Sequence, residues 1–183
     1  MTAASRRWAR EILRVWFHDL DSDDWFGGGA RVDALLRRRF ARDLAMLGGR
    51  PAHEFLGDPR IALAAILLFD QIPRNLFRDD ARAYASDPLA LAISHGVVAK
   101  DWLTRMDRSE RQFALMPLMH SEDIADQRAS VRLFLRHAPA AAGFARAHHR
   151  MIARFGRFPR RNAVLARTSS EAEPAAIAAG FSW

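Results

Sequence analysis

Cysteine is absent from the 183-residue sequence, and lysine is nearly absent. Without cysteine, disulfide bonds and thiolate metal sites are excluded, and the composition is consistent with a reducing compartment, so we expect a cytoplasmic protein. Lys100 is the only lysine among 28 basic residues, which outnumber 21 acidic ones and give a formal charge of +7. An arginine bias favours bidentate contacts with phosphate or carboxylate, but GC-rich codon usage produces the same bias, and the abundant alanine favours that explanation.

Long hydrophobic runs are also lacking. The longest is Ile61–Phe69, far short of the roughly 20 residues that cross a bilayer, so we expect no membrane span. Residues 1–7 contain no uninterrupted apolar stretch, and Arg10 and Glu11 interrupt the segment after them, so we expect no signal peptide. The basic residues are dispersed along the chain rather than gathered in one tail, which disfavours nucleic acid as a partner.

Strand-like alternation of apolar and polar residues is missing, and every long periodic segment has helical spacing. The sequence therefore predicts a single all-α domain of about six to eight helices, in which antiparallel helix pairs assemble either as a bundle or as a stack of hairpins. Residues 19–29 are expected to form a loop, whose acidic residues lack the ligand order of a calcium-binding loop. Caps, prolines and glycines place the helices approximately at Ser5–His18, Ala30–Leu47, Pro59–Pro73, Asp87–Lys100, Asp107 or Ser109 to Pro117, Ser121–His137, Pro139–Phe155 and Ser170–Gly180.

The helix that opens at Pro59 is apolar on every face, so we expect it to be buried on every face. At its end, where Pro73 is expected to stop it, this helix delivers four polar side chains: Asp70, Gln71, Arg74 and Asn75. Buried charge is costly unless it is paired. Asp70 and Arg74 are therefore expected to pair, either to close the helix end or to orient Arg74 toward a ligand.

His120 introduces a second polar cluster, followed by Ser121, Glu122 and Asp123. A serine followed by two acids is ordinary helix initiation, which explains this cluster without any function. His120 is not required by such a cap. A histidine beside carboxylates often forms an acid–base pair or a metal site with nitrogen and oxygen ligands. The cluster is therefore either a helix start alone or part of a functional site.

A third cluster begins at His148 and His149, whose side chains diverge by about 100° on a helix, so that at most one faces a given cleft. The spacing to Met151 favours His148 as the inward one, either as a structural histidine or as a ligand. Phe155 and Phe158 interleave with the arginines of the next segment. The arginine stems are therefore expected to lie against the core, either as a solvated basic edge or as ligand contacts. The polar residues concerned are Arg154, Arg157, Arg161 and Asn162.

Three motifs resemble, in order and spacing, those of the DUF924 family, a bacterial family of unknown function: Phe69–Arg78, Pro117–Asp123 with Gln127, and Arg154–Asn162. The resemblance covers nearly the whole chain. It implies a tetratricopeptide-like fold, a compact stack of antiparallel helix hairpins, and brings no assigned reaction. Two positions depart from the family pattern: Arg160 stands where the family usually has histidine, and Ala166 stands where it usually has glycine.

Two functions are consistent with these residues. The first is a helical binding module with a polar pocket for a small anion or an acidic peptide, formed by Asp70, Gln71, Arg74, Asn75, Asp123, Arg154, Arg157, Arg161 and Asn162. The second is a hydrolase-like or metal-assisted enzyme with His120, Glu122 and His148 as catalytic residues. The sequence identifies no cofactor. Both functions predict that Arg74, His120, Glu122, His148 and Arg157 share one solvent-reachable pocket.

Overall fold

The computed structural model describes residues 7–178, which form nine separate helices and no strand. The all-α prediction is confirmed, and the helix count slightly exceeds the expected six to eight. Two helices contain a π-helical turn: α1 continues into Val15–Asp19, and Leu67–Gln71 joins α4 and α5 into one continuous helix. The helical segments are α1 (Arg7–Arg14), α2 (Ser22–Phe26), α3 (Ala30–Leu47), α4 (Pro59–Ile66), α5 (Ile72–Leu76), α6 (Asp87–Ala99), α7 (Arg108–His120), α8 (Ile124–His137), α9 (Ala142–Phe155) and α10 (Ala172–Ala178).

The continuous helix α4–α5 is the centre of the fold. Every side chain from Ile61 to Pro73 is buried, as its all-round apolar sequence predicts. Helices α1, α6 and α7 pack around α4, and α3 packs against α5. The helix begins as expected, because the Asp58 carboxylate accepts hydrogen bonds from the backbone amides of Arg60 and Ile61 at 2.8 and 3.2 Å.

Helices α7, α8 and α9 pack against one another in chain order through short connections, as helical hairpins do. Their ends bring the second and third polar clusters beside the C-terminal half of the central helix. The tetratricopeptide likeness and the single-domain organisation stay predictions. No helix within residues 7–178 is long and apolar enough to cross a membrane.

Two prolines lie inside helices that we expected them to end. The central helix continues through Pro73 to Leu76, and α7 continues through Pro117 to His120. Both prolines are buried. Tertiary burial therefore outweighs the roughly 3 kcal/mol that an internal proline costs a helix.

Helix boundaries differ from the prediction at three other places. Residues 22–26 form α2 rather than a loop, because the Asp21 side chain caps the backbone amides of Asp23 and Asp24. Asp123 and not Ser121 caps α8, which begins at Ile124. Asp87 lies inside the first turn of α6 rather than at its cap. The predicted ends at Ser5 and Gly180 lie outside the described residues.

Candidate functional site

The π-helical turn Leu67–Gln71 positions the first polar cluster. Pro73 has no backbone N–H, and the helix widens just before it, so that the amide of Ile72 donates to the carbonyl of Leu67, five residues back. Asp70 is completely buried, and Gln71 is 7% exposed. The wide turn thus delivers a carboxylate and an amide into the interior, where both require partners.

Asp70 and His120 form a buried hydrogen-bonded pair. The Nδ1 atom of His120 lies 2.7 Å from Oδ1 of Asp70, and Gln71 donates an amide hydrogen to the other carboxylate oxygen. Burial alone would raise the pKa of Asp70, but the Arg74 guanidinium and the His120 ring hold it well below its usual range. Asp70 is therefore an anion that keeps the proton of His120 on Nδ1. Within residues 7–178, the Nε2 atom of His120 has no hydrogen-bond partner.

Arg74 joins this pair to a second carboxylate, Asp87. Its Nη1 and Nη2 atoms donate to Oδ1 and Oδ2 of Asp87 at 3.1 and 3.0 Å, a bidentate geometry that fixes the guanidinium plane. Nη1 also lies 3.4 Å from Oδ1 of Asp70 and donates to its backbone carbonyl. Burial raises the pKa of Asp87, against the opposing pull of Arg74 and Arg161.

Arg161 completes the buried cluster from the far end of the chain. It lies 3.4 Å from Oδ2 of Asp87 and donates to the backbone carbonyl of His120 at 3.0 Å. The Cζ atom of its guanidinium lies 4.6 Å from the ring centroids of both Tyr84 and Phe158, where cation–π attraction helps to hold a buried cation. Burial lowers the pKa of Arg161.

His148, and not His149, faces this cluster, in the orientation that its helical spacing favours. Its Nδ1 atom lies 2.9 Å from the carbonyl of Phe144, and its ring centroid lies 6.0 Å from that of His120. Burial, with the nearby positive charges, lowers the pKa of His148 to about 4. The side chain is therefore a neutral imidazole near pH 7.

The buried cluster is nearly balanced in charge, since the carboxylates of Asp70 and Asp87 face the guanidiniums of Arg74 and Arg161. Two imidazoles complete the set. This balance explains how so many ionisable groups are accommodated near the middle of the molecule. Among residues 7–178, no group of three His, Asp or Glu side chains is arranged to hold a metal ion.

A small cleft opens on the other side of Arg74. Its volume is about 120 Å³, and it lies between the end of α2 and the exposed side of α5. The lining includes no carboxylate. Its residues are Trp25, Phe26, Gly27, Gly28, Gln71, Arg74, Asn75 and Arg78.

The cleft keeps its shape through contacts on both walls. Asp33 holds the Arg78 guanidinium with two hydrogen bonds of 2.6 and 2.8 Å, and Arg78 also donates to the Asn75 side chain at 3.2 Å. On the opposite wall, Gly28 has φ of +62°, and a methyl group there would meet Arg78 Nη2 at 2.5 Å. Only glycine fits that turn without strain.

Several predicted site residues lie in neighbouring ion pairs instead. Glu122 pairs with Arg167 at 2.8 Å and accepts the backbone amide of Phe158. Arg157 pairs with Glu173 at 2.7 Å and donates to the carbonyl of Thr168. These contacts hold residues 158–173 against the helices. Glu122 and Arg157 thus pair within this segment rather than with the buried cluster, and the common pocket of Arg74, His120, Glu122, His148 and Arg157 stays a prediction.

The remaining candidates have local roles. Asp123 caps α8 through the amide of Ala125, and Arg154 is exposed with its guanidinium over the Phe155 ring. Asn162 is buried and donates to Ser169. None of these three side chains contacts the buried cluster by a hydrogen bond among the described residues. Asp70, Arg74, His120, His148 and Arg161 are thus the predicted residues that the fold brings together.

Comparison with known proteins places these residues in a family. The model of a bacterial protein family of unknown function, DUF924, matches residues 12–180. The chain belongs to the DUF924 family. The solved structure of the protein of unknown function ATU0120 from Agrobacterium tumefaciens is 32% identical and covers 97% of this chain and 98% of its own, with a TM-score of 0.88. Comparison with curated proteins yields no match.

One departure from the DUF924 pattern has a structural consequence. Ala166 adopts φ of +52°, a left-handed conformation that favours the glycine usual in the family. The amide of Arg167 bonds to the carbonyl of Asn162 and the amide of Ala166 to that of Ala163, which is the hydrogen-bond pattern of a Schellman helix end. The other departure, Arg160, lies exposed on the surface.

Sequence reasoning missed other residues of this region, among them Asp87, Tyr84, Arg78, Trp25 and Gly28. The sequence predicts Asp87 as a helix cap, since nothing local distinguishes a capping aspartate from one that pairs across the fold. Arg78 lies two residues beyond the end of α5, in a turn, and nothing local indicates that it pairs with Asp33 on α3.

Proposed function

We propose that this DUF924 protein binds a small anion, a carboxylate or phosphate group of a metabolite, in the cleft between α2 and α5. The observation that carries the proposal is that two guanidiniums and two amides line a cleft that no carboxylate lines. A volume of about 120 Å³ equals that of about four water molecules in the liquid, which suits one phosphate or acetate group. The acidic side chain of a peptide has the same chemistry.

The cationic groups of the cleft are held in place before any ligand arrives. Asp87 fixes the plane of the Arg74 guanidinium, and Asp33 fixes that of Arg78. Preorganised donors lose little conformational entropy on binding, which favours affinity. Each hydrogen bond from a guanidinium to an anion contributes about 1.5–3 kcal/mol.

Two aromatic side chains give the ligand an apolar neighbour. Trp25 is anchored by its Nε1–H, which donates to the carbonyl of Trp16 at 2.7 Å. Phe26 is 60% exposed at the rim of the cleft. A small organic acid, with an apolar part beside its charged group, fits this lining better than a bare inorganic ion does. We also infer a cytoplasmic location, since a chain without cysteine suits a reducing compartment.

Acid–base catalysis by His120 is the second candidate function, and the Asp70–His120 hydrogen bond favours it. A carboxylate that holds the Nδ1 proton leaves Nε2 as the basic atom, the arrangement in which imidazoles act as general bases. The structure supports a catalytic role less well for Glu122 and His148 than for His120. Glu122 is paired with Arg167, and the Nδ1 atom of His148 is within hydrogen-bond distance of the Phe144 carbonyl in its own helix. His120 alone retains this candidacy.

Calorimetry and thermal unfolding with phosphate, acetate and citrate, each at matched ionic strength, test the binding proposal. An anion at a hundred times its dissociation constant is expected to raise the free energy of unfolding by about 2.7 kcal/mol. Arg78→Gln removes one guanidinium from the cleft and is expected to weaken binding about tenfold or more.

Arg82→Gln is the matched control. Arg82 is a nearby exposed arginine that pairs with Asp80 and does not line the cleft, so this variant is expected to bind as the wild type does. The proposal fails if none of the three anions stabilises the protein more than sodium chloride does. It also fails if Arg82→Gln weakens binding as much as Arg78→Gln.

A further inference from the structure

A second basic surface lies far along the chain from the cleft, between helices α8 and α9. It is a groove of about 450 Å³. Four of its six lining residues are exposed arginines, and the floor is the half-buried Val131. The full lining is Arg128, Val131, Arg132, Arg146, His149 and Arg150. This α8–α9 groove shares no residue with the proposed anion cleft.

The charges of the α8–α9 groove are uncompensated. No carboxylate lines it, and none of its four arginines pairs with a carboxylate within residues 7–178. The larger groove of about 820 Å³ between α1 and α3 differs in this respect, because its arginines are interspersed with Glu11, Asp43 and Glu54. In the groove between α1 and α3, carboxylates of the lining balance the positive charge of the arginines. In the α8–α9 groove no carboxylate does so, and an external anionic partner would balance the charge instead.

The spacing of the arginines indicates what kind of anion fits. Arg128 and Arg132 are four residues apart on α8, and Arg146 and Arg150 are four apart on α9. Four residues rise about 6 Å along a helix. Acidic residues four apart on a partner helix present their carboxylates at the same interval. Each helix of the groove can therefore face one pair of carboxylates.

An apolar stripe accompanies the arginines. Val131 lies between Arg128 and Arg132, and Leu135, one helical turn further on the same face of α8, is 46% exposed. A bare polyanion leaves these side chains in water. An amphipathic partner buries them, as when a helix lies in a groove between two others. His149 is the one aromatic ring in the lining of this groove, which has no Trp, Tyr or Phe, and a single ring gives successive unpaired bases no stacking platform.

From the charge and the spacing together, we propose that the α8–α9 groove docks an acidic amphipathic helix of a partner protein. The partner helix presents glutamate or aspartate at positions four apart to the four arginines. Its apolar residues lie against Val131 and Leu135. The interaction is independent of anion binding in the cleft between α2 and α5.

Fluorescence anisotropy with a labelled synthetic peptide tests this inference. The peptide has about 15 residues, long enough to form a helix, with glutamates four apart on one face and leucines between them. A second peptide has glutamine in place of every glutamate. The double variant Arg132→Glu/Arg146→Glu is expected to bind the acidic peptide about tenfold more weakly than the wild type does.

The double variant Arg38→Glu/Arg105→Glu is the matched control. It changes the net charge equally at exposed arginines outside the groove and is expected to bind as the wild type does. Arg128→Gln/Arg150→Gln gives a second, milder groove variant should the first fail to fold, and it is expected to weaken binding in the same direction.

Four results would overturn the inference. The wild type fails to bind the acidic peptide, or the glutamine peptide binds equally well. The control variant weakens binding as much as the groove variants, which would show that net charge alone attracts the peptide. Finally, a single-stranded RNA of similar length binds more tightly than the peptide at the same salt concentration, and the groove variants lose this RNA binding. That result would assign the groove to nucleic acid.

Discussion

Replacing Asp70 tests the centre of the buried cluster, because this carboxylate is completely buried and serves three partners. His120 and Gln71 donate hydrogen bonds to it, and Arg74 lies 3.4 Å away. Asp70→Asn keeps the volume but leaves one acceptor oxygen for two donors. Asp70→Ala removes every acceptor and opens a small cavity as well.

The magnitude follows from counting the groups left without a partner. A buried donor without an acceptor costs about 1–3 kcal/mol. Arg74 keeps its bidentate contact with Asp87, so the larger penalty of an unpaired buried charge does not apply in full. We expect a loss in the free energy of unfolding of about 2–3 kcal/mol for Asp70→Asn and about 4 kcal/mol for Asp70→Ala.

Urea denaturation measures this loss. With a slope of about 2 kcal/mol/M, the midpoint of Asp70→Asn is expected to fall by about 1–1.5 M at pH 7. Asp33→Asn is the control, since Asp33 pairs with the half-exposed Arg78, and a surface pair contributes at most about 1 kcal/mol. A loss below about 0.5 kcal/mol for both Asp70 variants would refute the account of a buried, partnered carboxylate.

The pH dependence of the same variant gives a second check. The pKa of Asp70 is held below that of an unfolded aspartate, which is about 3.9. The stabilisation by a carboxylate with a depressed pKa is present above the unfolded value and is lost as the pH falls through the folded one. The difference between wild type and Asp70→Asn is therefore expected to shrink below about pH 4. A difference that stays constant from about pH 7 to about pH 2 would contradict this assignment.

Two further predictions concern single side chains. The pKa of His148 is 6.5 in the unfolded chain and about 4 in the folded protein. As the pH falls, the unfolded chain therefore takes up the proton of this histidine first. About 3 kcal/mol of the free energy of unfolding is expected to disappear between pH 6.5 and pH 4. Urea titrations should show a weaker dependence in His148→Gln over that range, and an unchanged slope would contradict the burial argument. Ala166→Gly relieves a left-handed alanine and is expected to raise the melting temperature by about 2–4 °C. The exposed helical Ala153→Gly should lower it, and equal signs for the two would refute the backbone explanation.

Much of the helical pattern was predictable because its signals are local. Helix α3 spans Ala30–Leu47 as expected, and the all-round apolar sequence identified the buried central helix. The errors at Pro73 and Pro117 have one physical cause. The expectation that proline ends a helix holds for an isolated helix. Both prolines lie in buried segments, where packing on several sides offsets the cost of the missing backbone hydrogen bond.

The candidate site was predictable in part for a related reason. An apolar helix that carries Asp70 into the core requires partners, which predicts the approach of Arg74, whereas the particular hydrogen bond with His120 does not follow from the sequence. The sequence does not indicate which arginine pairs with which acidic residue. Glu122 pairs with Arg167, and Arg157 pairs with Glu173, because the fold brings the segment after α9 back over Glu122 and Arg157.

Arg74 connects the two halves of the site. It lines the cleft, and the same guanidinium holds Asp87 and approaches Asp70. An anion in the cleft would add a negative charge beside Arg74 while Asp87 keeps its bidentate contact with that guanidinium. Charge added on the cleft side would therefore be felt at the Asp70–His120 pair, even though His120 does not line the cleft. Through this shared guanidinium, the proposed anion cleft and the Asp70–His120 pair form one electrostatic unit.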